Sequence, residues 1–186
     1  MTRLEQRTDA EVVVVASPRS GPYRDVAMGF GLGLSGVLLL IAVFVPVSWD
    51  PIWLPAEMVV LLFAGTWAAE HLPWLMRLLT TRDRRSRQVV DAAAAAFHQD
   101  QVHATRARTG LLIYLSVLEQ QVEIIPDHGL DARIPRAAWN GVTWDAHSVD
   151  AFVQSLEQAG EVLARYVPAL DGDNPDELPN APRIRR

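Results

Sequence analysis

The sequence predicts an α/β fold whose sheet is interrupted by an inserted two-helix membrane hairpin. Three observations lead there. Two unbroken apolar runs of strand length, at residues 12–15 and 111–115, stand far apart in the chain. Between them, residues 26–81 hold one Arg and three acids, against 17 basic and 22 acidic residues overall. Helical periodicity then returns in charged surroundings after residue 82. Every basic residue is Arg, the net charge is −5 and there is no Cys. Disulfides and thiolate chemistry are thereby excluded, and nothing in the charge recommends nucleic acid as a partner.

Taken in order, Glu11–Ser17 contains four consecutive valines, which argue for a strand in an N-terminal segment of residues 1–25. Residues 26–48 carry no ionisable side chain and are long enough, at about 1.5 Å per residue, to cross a hydrocarbon core of ~30 Å. They start far from the N-terminus and lack a small-x-small site before Asp50, which predicts a retained span and not a removable signal. Asp50, Pro51 and Pro55, flanked by Trp49 and Trp53, suit a tight outer turn among lipid headgroups. A second span follows at 56–77, with its apolar stretch at 58–76, and Trp74 marks the opposite interface. Glu70 and His71 lie near its end, where an acid reaches water or a nearby Arg at less cost than at the bilayer centre.

Arg77, Arg82, Arg84, Arg85 and Arg87, with Arg19 and Arg24, flank the outer ends of this hairpin, and no Arg lies between Arg24 and Arg77. The positive-inside rule then places both termini in the cytoplasm and the loop outside, so the expected location is the inner (cytoplasmic) membrane, with two spans. Gly29 and Gly33 form a G-x-x-x-G pair that would let a helix approach closely, either the partner span with its Ala64, Gly65, Ala68 and Ala69 or a second copy of the chain. Gly31, Gly33 and Gly36 mimic a dinucleotide fingerprint, but no strand precedes them and they sit in the apolar span.

Residues 80–168 make the main soluble part. Val89, Val90, Ala93, Phe97 and Ala104 recur at helical spacing and predict one amphipathic helix over 88–105. Residues 111–115 and 122–125 read as two strands of a hairpin turning at Glu119 and Gln120, ended by Pro126 and Gly129. Because the membrane hairpin enters and leaves on one side, the N-terminal strand can rejoin this pair, in parallel with 111–115. A short helix is expected over 132–140. A longer one over Val149–Tyr166 has Ser148 as N-cap and Pro168 as its stop. Residues 169–186 read as a solvated tail.

The order of these segments, and above all Arg108, Thr109 and Gly110 leading into 111–115, the acidic turn, Val122–Glu123–Ile124 and Asp127–His128–Gly129–Leu130–Asp131, resembles the TPM domain family. That family includes proteins of thylakoid acid phosphatase and photosystem II repair type and many bacterial membrane proteins. The resemblance covers residues 11–168, with the membrane hairpin as an insertion. It implies an α/β sandwich around a central mixed β-sheet and, in some members, a metal site near the strand ends, often calcium. Glu119 at the hairpin turn and Asp131 after the Gly-Leu step are the two acids that carry over. Two carboxylates supply only part of the 6–8 oxygens calcium takes, the remainder falling to carbonyls and water.

No other constellation is built for chemistry. His98 and His103 are five apart, not i, i+4, and His128 and His147 fall in expected loops. No Ser sits in a G-x-S-x-G elbow, and without Lys there is no Walker motif. The acidic stretch 171–177 lacks Gly at the sixth position of a calcium loop. The sequence therefore points to a non-enzymatic interaction or assembly module held on the lipid bilayer, whose partners are other membrane proteins or a second copy of itself. A metal-dependent phosphatase is the alternative that the family resemblance supplies.

Overall fold

Strand β1 (Glu11–Ser17) contains Val12–Val15, all buried, because each of its two faces meets a different layer of side chains. The computed structural model describes residues 7–46, 50–169 and 183–185. Trp49 and the stretch 171–177 lie outside them. After β1 come α1 (Arg24–Phe44), α2 (Leu54–His71), α3 (Pro73–Leu79), α4 (Arg82–Gln99) and a 3-10 turn at Val102–Ala104. The chain continues through β2 (Gly110–Ser116), β3 (Gln121–Pro126), α5 (His128–Asp131), α6 (Arg136–Trp139), α7 (Val149–Tyr166) and β4 (Arg183–Ile184). It divides into two units, one of Met1–Ser20 with Ser86–Arg186 and one of Gly21–Arg85.

The first unit is a mixed α/β fold. Its four strands lie in the order β3-β2-β1-β4. β1 runs parallel to β2 with Val12 opposite Leu111 and Ser17 opposite Ser116, and β2 runs antiparallel to β3 with Leu112 opposite Ile125. On one face, Val13, Val15, Leu112 and Tyr114 pack against Val89, Ala93, Ala96 and Phe97 of α4. On the other, Val12, Val14, Leu111 and Ile113 meet Leu130, Ile134, Phe152 and Leu163. A sheet covered on both sides needs apolar residues at every position, which is why its two central strands read as unbroken runs. Each such side chain contributes about 1.5–3 kcal/mol when fully buried.

The helices of this unit end where local chemistry directs. Ser148 Oγ accepts a hydrogen bond from Ala151 N at 3.1 Å and opens α7. Helix α4 begins earlier than its apolar periodicity suggests and stops at Gln99, not Thr105. Gln101 adopts a left-handed conformation (φ 54°), and the chain reverses into the 3-10 turn. The helix expected over 132–140 is confined to the four-residue α6, which begins after Pro135, a residue that cannot donate to the turn before it, while α5 is a separate four-residue piece that ends at Asp131. The chain end is also corrected. Ile184 and Arg183 add β4 alongside Val15 and Ala16, and Arg183 and Arg185 both bind Asp100, the latter at 3.0 Å.

In the second unit α1 packs along α2. Ala27, Gly31 and Ser35 are buried on α1, and Gly65 and Ala69 on α2. A Cβ built on Gly31 would lie 2.2 Å from Leu62 O, and one on Gly65 would lie 2.9 Å from Gly31 Cα, so only glycine allows this approach. Ser35 Oγ donates across to Met58 O at 2.7 Å. A straight second span over 56–77 is not observed. The helix breaks at Leu72, where the residue before Pro73 is extended (φ −106°, ψ 97°), and α3 leaves α2 at 102°. Among the described residues one helix, α1, is long and apolar enough to cross a membrane, and a second only if α2 and α3 count together.

Candidate functional site

The free edge of the sheet supplies the chemistry that stands out. β3 is the outermost strand on its side. Asp127 N donates to Gly110 O at 2.8 Å, which sets the alternation of the antiparallel ladder: the peptide groups of Gln121, Glu123 and Ile125 turn toward β2, and those of Val122 and Ile124 turn outward. Beside this edge lies a cleft of about 440 Å³ bounded by Val122, Glu123, Ile124, Asp131, Arg136 and Trp139. The volume falls in the range of ligand-binding clefts, about 300–1,000 Å³. Partial burial pushes the Glu123 carboxyl above the usual glutamate range, and among the described residues no charged group offsets that cost. Asp131 and Arg136 are exposed at the rim, and the Trp139 ring is half-buried against the core.

The acid at the other end of the hairpin has a different task. Glu119 is buried and accepts a hydrogen bond from Ser20 N at 2.9 Å and another from Ser116 Oγ. Ser20 Oγ donates in turn to Ser116 Oγ at 2.6 Å. The network ties the exit of β1 to the β2–β3 turn, because β1 and β2 are in register there and both end in Ser. Glu119 and Asp131, paired in the sequence reading as metal ligands, are not brought together: the whole of β3 separates them, roughly 17 Å at ~3.4 Å per residue. With both Glu119 oxygens engaged by protein donors, these two residues do not fit a shared calcium ion. Among the described residues, no three His, Asp or Glu side chains gather where one ion could bind.

The remaining sequence candidates fall as follows. Gly29 and Gly33 are not at the helix contact, since a Cβ on either would meet nothing within 4 Å. They lie about 200° around the helix from Gly31. Trp53 and Trp74 are exposed, as are Arg82 and Arg87, while Arg77 and Arg85 are half-buried. Arg84 holds Asp25 through two hydrogen bonds of 2.8 Å and lies over the Tyr23 ring. Glu70 is exposed, and His71 stacks on Trp67 with ring centroids 4.6 Å apart.

Sequence spacing missed two groupings. His98 and His103 do not share a helix face, yet the reversal after Gln99 brings their rings to 5.5 Å between centroids. Asp127 is buried and caps α5 by accepting from His128 N at 2.8 Å. The signal for it was Asp directly before a short helix. Away from the sheet edge, the His147 backbone N donates to Asp145 Oδ1 at 2.7 Å and the His147 ring Nδ1 lies 2.8 Å from the same oxygen, which together hold the Asp145 carboxyl below the usual aspartate range.

No family model matches the chain, and a search among curated proteins returns no match. Among solved structures the chain is similar to the NMR structure of BA42 protein from the psychrophilic bacterium Bizionia argentinensis, with a TM-score of 0.53 and 18% identity over 99% of this chain and 86% of that one. At that identity the likeness concerns the fold alone.

Proposed function

We propose that this chain is a membrane-anchored interaction module. In this reading the two-helix hairpin sits in the cytoplasmic (inner) membrane with both termini on the cytoplasmic side. It holds a TPM-like domain there against other membrane proteins during assembly or repair. The observation that carries the reading is the dressing of α1. Its contact with α2 is made of Ala27, Gly31 and Ser35, while Leu32, Leu40, Val43 and Phe44 point outward, with Phe44 79% exposed. In water such a surface would exceed the few hundred Å² of contiguous apolar area that soluble proteins tolerate. In lipid it costs nothing, and small residues between helices are what association there requires.

For the domain itself, support comes from the use of its buried acid. Glu119 holds two strand ends together and so has a structural role, and the open edge of β3 is suited to a partner. The test has two arms. Full-length protein should stay with membranes after alkaline carbonate washing and release only in detergent. Purified in micelles, it should show no phosphomonoester turnover with or without calcium. Recovery from the aqueous fraction would overturn the anchor. Turnover lost in both Glu119→Ala and Asp131→Ala would overturn the non-enzymatic reading.

A further inference from the structure

We propose that the free edge of β3 is a docking site for an extended polypeptide segment of a partner protein, added as a fifth strand, with a basic side chain facing Glu123. The inference names the surface and partner chemistry of the interaction module above and rests on that reading. Its basis is the conjunction of three features in one place. First, Val122 and Ile124 present N–H and C=O groups outward, and among the described residues these groups have no backbone partner. Second, among the described residues the strand is bordered by an open cleft of about 440 Å³. Third, Glu123 is a half-buried carboxylate with no hydrogen bond or ion pair among the described residues, on a strand whose neighbouring positions Val122, Ile124 and Ile125 are apolar.

These features specify the partner's sequence. A strand added to β3 would hydrogen-bond to Val122 and Ile124, and the residue between those two contacts would lie opposite Glu123 in a pair without backbone bonds, where side chains come closest. A cation there meets a carboxylate that burial leaves without a counterion. The flanking residues project to the other face of the sheet, beside Trp139, and favour apolar side chains. Arg136 and Asp131, both exposed at the mouth on that face, leave its net charge balanced, so Glu123 sets the preference. The pattern is apolar, basic, apolar in an extended segment. Natural edge strands are normally covered, shortened or blocked by charge, and β3 has one acid and a terminal Pro126 as its only defences.

The probe is a synthetic pentapeptide, acetyl-Thr-Val-Arg-Val-Thr-amide, titrated onto the full-length chain in detergent micelles. Affinity is read by fluorescence anisotropy, and site occupancy by amide hydrogen exchange at Val122 and Ile124. Saturable binding is expected, weakened at least tenfold when the central Arg is Glu or when the protein carries Glu123→Arg. Methylating both valine amides of the peptide should abolish it, and the free-edge amides should slow only when the unmodified peptide is present. The charge-reversed pair, the Glu peptide with Glu123→Arg, should recover affinity, which separates recognition from misfolding. No saturable binding, equal binding of the methylated peptide, or protection of Val122 and Ile124 before any peptide is added would each overturn the proposal. The last would mean that the chain's own residues, or Glu123 acting only as a guard against aggregation, account for this edge. None of these results bears on carbonate extraction, so failure here leaves the membrane anchor standing.

Discussion

In the sheet unit the valines and leucines of β1 and β2 are hidden on both faces, whereas along α1 they point outward and glycine, alanine and serine lie between the helices. The side chains are alike, and the direction in which they point is opposite. On the proposed membrane anchor, what differs is the medium each unit must satisfy. A sheet folding in water gathers apolar area away from solvent. Helices in lipid gain nothing by that and associate through close backbone approach and hydrogen bonds such as Ser35 Oγ to Met58 O. Hydropathy alone identifies both stretches as apolar without saying which side is packed.

Substitutions that exchange the two roles break or sharpen this contrast. Leu112 is fully buried in the sheet, and Leu112→Ala should cost about 2–5 kcal/mol, read as a lower urea midpoint in pulse proteolysis. Leu40→Ala, on the outward face of α1, should stay within roughly 0.5 kcal/mol in the same assay. Equal losses would mean that α1 is covered by protein. Next in size is Gly31→Leu, which drives a side chain into Leu62 O and should destabilise the helix pair by about 1–3 kcal/mol, whereas Gly33→Leu has room. Cross-linking between cysteines introduced on α1 and α2 would report the separation, and a larger effect at Gly33 would reverse the assigned faces. Ser148→Ala removes the cap of α7 and should lower stability by about 1 kcal/mol, visible as faster amide exchange in its first turn.

The smallest effect concerns pH. Burial raises the Glu123 pKa, so the folded chain binds a proton more readily than the unfolded chain. Stability therefore falls as pH rises from the ordinary glutamate value through the raised one, and is level above both. Glu123→Gln should flatten that decline, measured as the difference in urea midpoint between the variant and the parent across the window. A decline that persists in the variant would assign it to another group.

Much of the sheet unit was readable because its signals are local and redundant. Four valines in a row, a second apolar run, a polar turn at Glu119 and Gln120 and a Ser before a helical stripe identify β1, β2, β3 and α7 from neighbours in sequence. The parallel pairing followed from an inserted hairpin that enters and leaves on one side, which lets the two apolar runs rejoin. The second unit was less legible because its decisive facts are contacts. Gly29 and Gly33 fit the same spacing as Gly31 and Ser35, and only the hydroxyl of Ser35, which needs an inward partner in an apolar stretch, distinguished the two faces. Pro73 lies inside the expected span 56–77, and the 102° turn it allows was not legible. β4 was missed because two residues have no periodicity, and the edge cleft because Glu123, Arg136 and Trp139 meet only after α5 and α6 fold back. Glu119 stood out in the sequence, but its hydrogen bonds to Ser20 and Ser116 were not legible there, since an acid at a turn reads the same whether it faces a metal or two serines.

The pairing of Val12 with Leu111 also has a temporal side. About a hundred residues separate the partners, and at a synthesis rate of ~5–20 residues per second the ribosome takes roughly 5–20 s to deliver the second after the first. During that interval a row of valines with strong aggregation propensity waits without its mate, and on the proposed membrane anchor the intervening helices are being inserted meanwhile. Biogenesis of this chain should therefore depend on a holdase that shields the nascent N-terminus.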